Sequence, residues 1–275
     1  EQFLLVNDER YGPFEEVKDV VFSPTSNDLA YVAKSNDSSL MYLNHRPYRH
    51  NYRHAFCPMF SPDGRRFAIS ATDGISDEYV IVDSVERRHF PDMLVSEVTF
   101  SDDSRHYWHD VATDSTLSER LLVVDDSVIY RMQGSFDCLD VCFAPEDTRF
   151  GVIWNVDSLH YRCLIEGSEF ESGPLTGRIV FSPDNRHYSI VLSVGDRKHT
   201  RLVVDGTARA RYQMYFPGQC FTPDSREVAF IAENDGEQFL VIGDREFAHF
   251  DSVYPKDISR SEERRVGKEW RSRWS

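Results

Sequence analysis

The stretch FSPDGRRFAIS, Phe60 to Ser70, decides the fold, because near copies of it return along the chain. Anchored on the aromatic residue before the turn, the copies begin at Phe22, Phe60, Phe100, Phe143, Phe181 and Phe221, separated by 38, 40, 43, 38 and 40 residues. A period near forty sustained over so many copies is the signature of a repeat architecture. Each Phe is followed by Ser, Pro and Asp or close substitutes: SPTS from Ser23, SPDG from Ser61, SDDS from Ser101, APED from Ala144, SPDN from Ser182 and TPDS from Thr222. Pro presets φ for the first central position of a tight turn, and Asp, Asn, Ser or Gly satisfies or tolerates the backbone geometry of the next two positions. Each copy therefore reads as a hairpin corner.

Beyond the corner the chain alternates. The seventh residue after each anchor is apolar or aromatic (Leu29, Phe67, Tyr107, Phe150, Tyr188, Val228), and the sixth is polar throughout (Asp28, Arg66, His106, Arg149, His187, Glu227). The ninth is apolar or aromatic in five copies, with His109 the exception. This is the period of a strand with one buried face. The eighth residue is small in five copies, including Ala30, Ala68 and Gly151, which predicts a close neighbour on that side; Trp108 departs from the rule. A second strand type follows 18 to 21 residues after each anchor, as in YVIVDS from Tyr79, LLVVDD from Leu121 and RLVVDG from Arg201, and a further copy, FLLVND, precedes the first anchor from Phe3. One period thus holds about four short strands, and no segment sustains the three-and-four spacing of a helix.

The predicted fold class is all-β: a β-propeller of four-stranded antiparallel blades, with six anchored repeats and a partial N-terminal one. A unit of forty residues cannot hide its apolar faces alone, which explains why the corner is rewritten. At Phe60 to Gly64 and the five related corners the chain resembles the WD40-like repeat of the TolB type, over roughly Phe3 to Ile258. True WD40 repeats fit less well, since Val-Asp (Val82-Asp83, Val124-Asp125, Val204-Asp205) stands where Trp-Asp would be.

The domain expectation is a propeller over 1–259, incomplete at both ends, with six or seven blades and seven favoured. The chain opens in the latter half of a repeat, and the seventh anchor position holds Ser259. The segment from Arg260 to Ser275, RSEERRVGKEWRSRWS, differs in composition, with six basic residues against three acidic ones. Its near match to the in-frame translation of a sequencing adapter identifies 260–275 as an expected non-native tail, which has no part in the fold.

Charge and cysteine usage narrow the function classes. A net charge of −15 argues against nucleic acid, whose binding needs clustered cations facing phosphates. No apolar run approaches the eighteen or so residues of a membrane helix. Five cysteines without a CxxC pair do not assemble into a disulfide framework or a metal site, and buried free thiols are expected. No GxSxG elbow, P-loop or calcium loop is present, so no catalytic residue, metal or cofactor is expected.

The densest local departure is HRPYRHNYRH, His45 to His54, basic and aromatic inside an acidic chain. As a binding site it offers Arg46, Arg49, His50, Arg53 and His54 to an anionic ligand, since guanidinium forks pair carboxylate or phosphate. The favoured reading is structural: an outer strand whose aromatic residues fill the space between blades. Trp108, beside His106 and His109, is the other candidate contact residue. The expected function is a non-enzymatic propeller that presents loops or its channel mouth to a protein or peptide partner. The TolB-type resemblance implies an interaction role in a bacterial cell envelope. The alternative is the regulatory propeller of a larger prolyl-oligopeptidase-like hydrolase, and a small-molecule or glycan binder is a third class.

Overall fold

The structure is a computed structural model that describes residues 1–250 except 37, 49–51, 75–76, 92, 114–115, 117, 135–138, 146–147, 174–176, 196–198 and 210; the expected tail at 260–275 lies outside the described residues. Among the described residues every regular element is a β-strand. The chain forms two compact units, Glu1–Gly134 and Ser135–Ser275.

The first unit opens with a two-stranded hairpin, Gln2–Val6 paired with Glu9–Phe14. An antiparallel meander follows, Glu16–Phe22, Leu29–Ser35, Ser38–Leu43 and Arg46–Pro47. A second meander comprises His54–Phe60, Phe67–Thr72, Asp77–Val82 and Val85–Pro91. One parallel bridge, Ser39 to His54, joins the two meanders. In the third, Leu94–Val95 and Thr99–Phe100 share the first-strand position beside Tyr107–Ala112, with Glu119–Val124 and Ser127–Gln133 beyond.

The second unit repeats the pattern. Leu139–Phe143, Phe150–Asn155, Tyr161–Ile165 and Ser168–Ser172 form one four-stranded sheet. Val180–Phe181, Tyr188–Ser193, Thr200–Val204 and Thr207–Arg209 form the next. The last combines Met214–Tyr215 and Cys220–Phe221 with Val228–Asn234, Glu237–Ile242 and Arg245–Phe250.

Every anchor Phe ends a first strand, and the corner after it closes with one backbone bond: the amides of Ser23, Ser61, Ser101, Ala144, Ser182 and Thr222 donate to the carbonyls of Asp28, Arg66, His106, Arg149, His187 and Glu227 at 2.8–3.0 Å. Side chains reinforce it where the sequence supplies them. The hydroxyls of Ser61, Ser101, Ser182 and Thr222 each donate to the Asp two residues on at 2.6 Å. Those carboxylates in turn accept the amides of Arg65, Arg105, Arg186 and Arg226. Corners also link successive sheets. The Asp63 amide donates to Ser104 Oγ at 2.9 Å, and the Asp184 amide to Ser225 Oγ at 3.0 Å. Gly64 sits so close to the preceding corner that a Cβ would lie 2.1 Å from Thr25 Oγ1, and its φ of +69° suits glycine.

Two-residue turns join the strands of the N-terminal hairpin and the last two strands of each later meander or sheet. Both central residues have positive φ at Asn7-Asp8, Asn44-His45, Asp83-Ser84, Asp125-Asp126, Glu166-Gly167 and Asp205-Gly206, the type I′ geometry that matches strand twist. The Val-Asp dipeptides are therefore turn entries. Their carboxylates also reach back: Asp83, Asp125 and Asp205 Oδ1 accept the amides of Phe67, Tyr107 and Tyr188 at 2.9–3.1 Å. The second carboxylate oxygens pair with Arg66, His106 and His187, which explains the polar sixth position.

The apolar residues form a layer between each sheet and the next within a unit. Leu4 and Val6 of the N-terminal hairpin pack on Leu29 and Tyr31, Met41 packs with Ile69 and Ile81, and Val80 and Val82 pack with Phe100, Tyr107 and Val111. In the second unit Ile153 and Cys163 meet Ile179 and Ile190, and Val191 and Leu202 meet Phe221 and Phe230. The small eighth position has its reason here: a Cβ added to Gly151 would lie 2.6 Å from Ile179 Cδ1 of the next sheet. Fully burying one such aliphatic side chain stabilises by about 1.5–3 kcal/mol, so the sheets hold together through these layers.

Candidate binding cleft

First strands differ in length and regularity between the two units. In the first unit, bulges interrupt pairing between Lys18 and Val21 and between Phe56 and Met59, and Asp19 and Cys57 adopt positive φ there. Both lie three residues before an anchor, as do Glu97, Asp140, Arg178 and Gly218. The Cys57 amide donates to Asp19 Oδ2 at 3.5 Å. Burial, with the neighbouring charges of Glu97 and Asp19 opposed only by Lys18, pushes the Cys57 thiol up to about 11. It stays protonated at neutral pH and supplies no thiolate nucleophile.

In the second unit the same first-strand positions open a cleft of about 710 Å³. Its walls are Cys142 and Phe143 on one sheet, Ile179, Val180 and Phe181 on the next, and Pro217, Gly218 and Gln219 on the third, with Pro145 and Arg178 at the mouth. Gln219 is buried and fixes the floor, donating from Nε2 to the carbonyls of Arg178 at 2.8 Å and Ser189 at 3.3 Å. The Arg178 guanidinium is exposed and stands 4.0 Å from Asp140. An apolar concavity with one loosely paired cation at its edge can take an apolar side chain or a short extended segment and orient it by charge. Such a wide, loose ion pair contributes little to stability, so Arg178 is free to exchange partners.

The residues singled out in the sequence are dispersed. Arg46 is exposed on Arg46–Pro47 and borders a shallow hollow of about 520 Å³ with Leu43, Asn44, Pro47 and Tyr48. Arg49 and His50 lie outside the described residues. Arg53 is exposed, and its backbone ties Ser39 N to Thr72 O across two meanders at 3.1 and 3.0 Å. His54 is half-buried at the start of its strand, paired with Thr72. Arg53 and His54 come together beside Gly74, whereas Trp108 is half-buried in the third meander, between Thr99 and Val124.

The tyrosines of that basic stretch face inward. Tyr48 sits 6.2 Å from the Phe67 ring and donates to Ser84 Oγ at 2.5 Å. Tyr52 lies 4.5 Å from Tyr79 and donates to Glu86. Burial, then the Glu86 bond, raises the Tyr52 hydroxyl well above its ordinary value. Tyr212 holds the same place 34 residues before Glu246 and donates to it at 2.9 Å. His109, the other departure, is fully buried with its ring 5.5 Å from Phe90. Next to it the buried Asp110 pairs with Arg120. The cleft residues were missed in the sequence, although counting three positions back from each anchor would have found Arg178 and Gly218.

No protein-family model matches the chain. No curated protein matches it either. Among solved structures it is similar to TolB from Acinetobacter baumannii, at 13% identity and a TM-score of 0.34, over 82% of this chain and 60% of that one. It is also similar to the β-propeller domain of the Trilobed protease from Pyrococcus furiosus, at 16% identity and a TM-score of 0.42, over 84% of this chain and 83% of that one. A third is dihydro-heme d1 dehydrogenase NirN in complex with DHE, at 17% identity and a TM-score of 0.36, over 85% of this chain and 55% of that one. The chain thus spans less than two thirds of TolB and of NirN. Overlaps with TM-scores below 0.5 define no residue correspondence, so the cleft stands on this chain's own geometry.

Proposed function

We propose that the chain is a non-enzymatic β-propeller that acts as an interaction scaffold and receives a protein or peptide segment in the cleft of its second unit. The propeller reading is supported by the forty-residue period and by the apolar layers between successive four-stranded sheets. The observation that carries the binding role is the cleft itself, about 710 Å³ with walls of Phe143, Ile179, Val180 and Pro217. A volume of that size accommodates a few apolar side chains of an extended peptide. Arg178 at the mouth gives such a segment a fixed direction when it carries a carboxylate. Away from the cleft, burial pushes the Cys163 thiol up to about 12 and the Cys57 thiol up to about 11, so both stay protonated at neutral pH.

The test is selection of displayed random peptides on the full chain, followed by affinity measurement against Pro145→Glu and Arg178→Glu variants. Both positions are at the cleft mouth and outside the apolar layers, so the fold is retained, as circular dichroism would verify. Selected peptides should share spaced apolar residues and lose about tenfold or more in affinity with either variant. Enrichment of peptides whose binding ignores both substitutions would remove the cleft from the proposal.

A further inference from the structure

Most first strands are interrupted. Register shifts break Glu16–Phe22 between Lys18 and Val21 and His54–Phe60 between Phe56 and Met59. Two others are split, into Leu94–Val95 with Thr99–Phe100 and into Met214–Tyr215 with Cys220–Phe221, and Val180–Phe181 is a strand of two residues. Bulges and short runs are the devices that keep a strand edge from pairing with another chain. Leu139–Phe143 lacks them. Its residues pair one to one with the second strand, from Leu139 opposite Trp154 to Phe143 opposite Phe150, without a shift.

The register also shows which backbone groups of this strand are committed. The Ala144 amide donates to the Arg149 carbonyl at 2.8 Å. Bonded and non-bonded pairs alternate along an antiparallel ladder, so Cys142 and Asp140 direct their amides and carbonyls toward Gly151 and Ile153. Leu139 and Val141 direct theirs the other way. Leu139–Phe143 ends its sheet on that side, and Phe150–Asn155 is its one neighbour among the described residues. The same strand supplies Cys142 and Phe143 to the wall of the cleft, whose other walls include Ile179, Val180 and Pro217. Donors and acceptors repeating at the spacing of a strand, about 7 Å per two residues, thus border an apolar cavity. Another strand complements both.

We propose that an extended peptide enters the cleft as an added strand on Leu139–Phe143, bonding the amides and carbonyls of Leu139 and Val141 by β-augmentation. The inference rests on the cleft being the binding site, and it adds how the segment is held and what its sequence must be. Apolar β-branched residues at alternate positions fill the space beside Ile179, Val180 and Pro217, with polar residues between them. A carboxylate ends the series at the mouth, where Arg178 stands 4.0 Å from Asp140 and can exchange that loose partner for it. Proline is excluded from the bonded positions of the peptide, because it has no amide to donate.

The probe is the fluorescein-labelled heptapeptide Val-Thr-Ile-Thr-Val-Thr-Glu, titrated with the full chain and followed by anisotropy. Saturable binding is expected. Val141→Pro removes an amide that the sheet itself does not use, so the fold is retained, as circular dichroism would verify, and affinity should fall about tenfold. Val141→Thr keeps the amide and should leave affinity within about twofold. N-methylating alternate amides of the peptide should abolish binding for one parity and spare the other, a readout that needs no variant of the protein. Failure of the heptapeptide to bind, equal binding by the two N-methylated forms, or an affinity unmoved by Val141→Pro would overturn strand addition. The cleft would still stand as a binding site if displayed peptides remained sensitive to Pro145→Glu and Arg178→Glu. Loss of heptapeptide binding with Val141→Pro but with neither of those two variants would put the added strand outside the cleft and overturn both readings.

Discussion

Phe22 and Phe221 hold the same place in the same repeat, each ending a first strand one residue before a corner, yet one is 59% exposed and the other 3%. The corners themselves do not differ, since the closing backbone bonds measure 2.8 Å at Ser23 and 2.9 Å at Thr222. What differs is the neighbour. His187, from the preceding second strand, stacks on Phe221, and Val191 and Leu202 of that sheet pack against the same layer. Burial of an anchor is thus a property of two adjacent copies, and the local sequence sets only the turn. The sharpest test is a pair of truncations. Phe221→Ala should destabilise by about 3–5 kcal/mol in urea unfolding, through lost transfer and cavity terms. Phe22→Ala should stay within about 1 kcal/mol. Equal losses would break the comparison.

The covering residue can be removed instead of the ring. Arg66 is mostly buried, reaches Asp83 Oδ2 at 3.0 Å, donates to the carbonyl of Arg105 at 2.8 Å and covers Phe100. Arg66→Ala should cost about 1–3 kcal/mol, because it strips the cation from the ring and leaves Asp83 with only its bond to the Phe67 amide. Arg66→Lys should recover only part of this, since an ammonium cannot span the carboxylate, the carbonyls and the ring together.

Acid should expose the corners in turn. The Ser61, Ser182 and Thr222 hydroxyls hold the carboxyls of Asp63, Asp184 and Asp224 below their ordinary value of 3.8, each assisted by a backbone amide. At Asp103 burial works the other way, but the Ser101 hydroxyl and Arg105 amide outweigh it and the net direction is again downward. A depressed folded value means that this stability is complete above the ordinary aspartate range. It is lost as pH falls through 3.8 toward the folded values. Denaturation midpoints should be flat from pH 7 to 5 on this account and drop steeply below about pH 4. The combined Ser61→Ala, Ser182→Ala and Thr222→Val variant should lower the neutral-pH plateau and flatten the acid limb. An unchanged acid limb would show that other carboxylates govern it.

The difference between corner and cover also explains what was legible in the sequence. Corner chemistry is local, so Pro62, Asp63 and Gly64 announced their turn, and the alternation after each anchor announced its strand. The role of Arg66 or His187 was hidden because its partners, Asp83 with Phe100 and Asp205 with Phe221, lie 17 to 34 residues away in chain order. The cleft was hidden for another reason. Its walls are two- and five-residue strands and the connections beside them, too short to show a period, and the position three residues before the anchor reads Asp, Cys, Glu, Asp, Arg and Gly down the copies. The basic stretch from His45 stood out by composition, but Tyr48 and Tyr52 are its inward-facing members.

The smallest expected effect lies at the fourth corner, where Ala144 replaces the hydroxyl residue. Its amide still donates to the Arg149 carbonyl at 2.8 Å, and Arg149 still pairs with Glu166 and covers Phe181, so turn and cover both survive without the hydroxyl. The hydroxyl therefore tightens a corner that backbone and neighbour already define. At Ser61 and Ser182 it accepts an amide at 3.0 Å, from Arg66 and His187, and the Arg149 amide occupies the equivalent place here. Ala144→Ser should restore that bond and stabilise by about 0.5–1 kcal/mol. Ser182→Ala should remove it and destabilise by a similar amount. A thermal-shift pair of opposite sign and like size would establish that the corners are equivalent parts, whereas destabilisation by both would mean that the fourth corner has packed around its methyl group and is no longer interchangeable with the others.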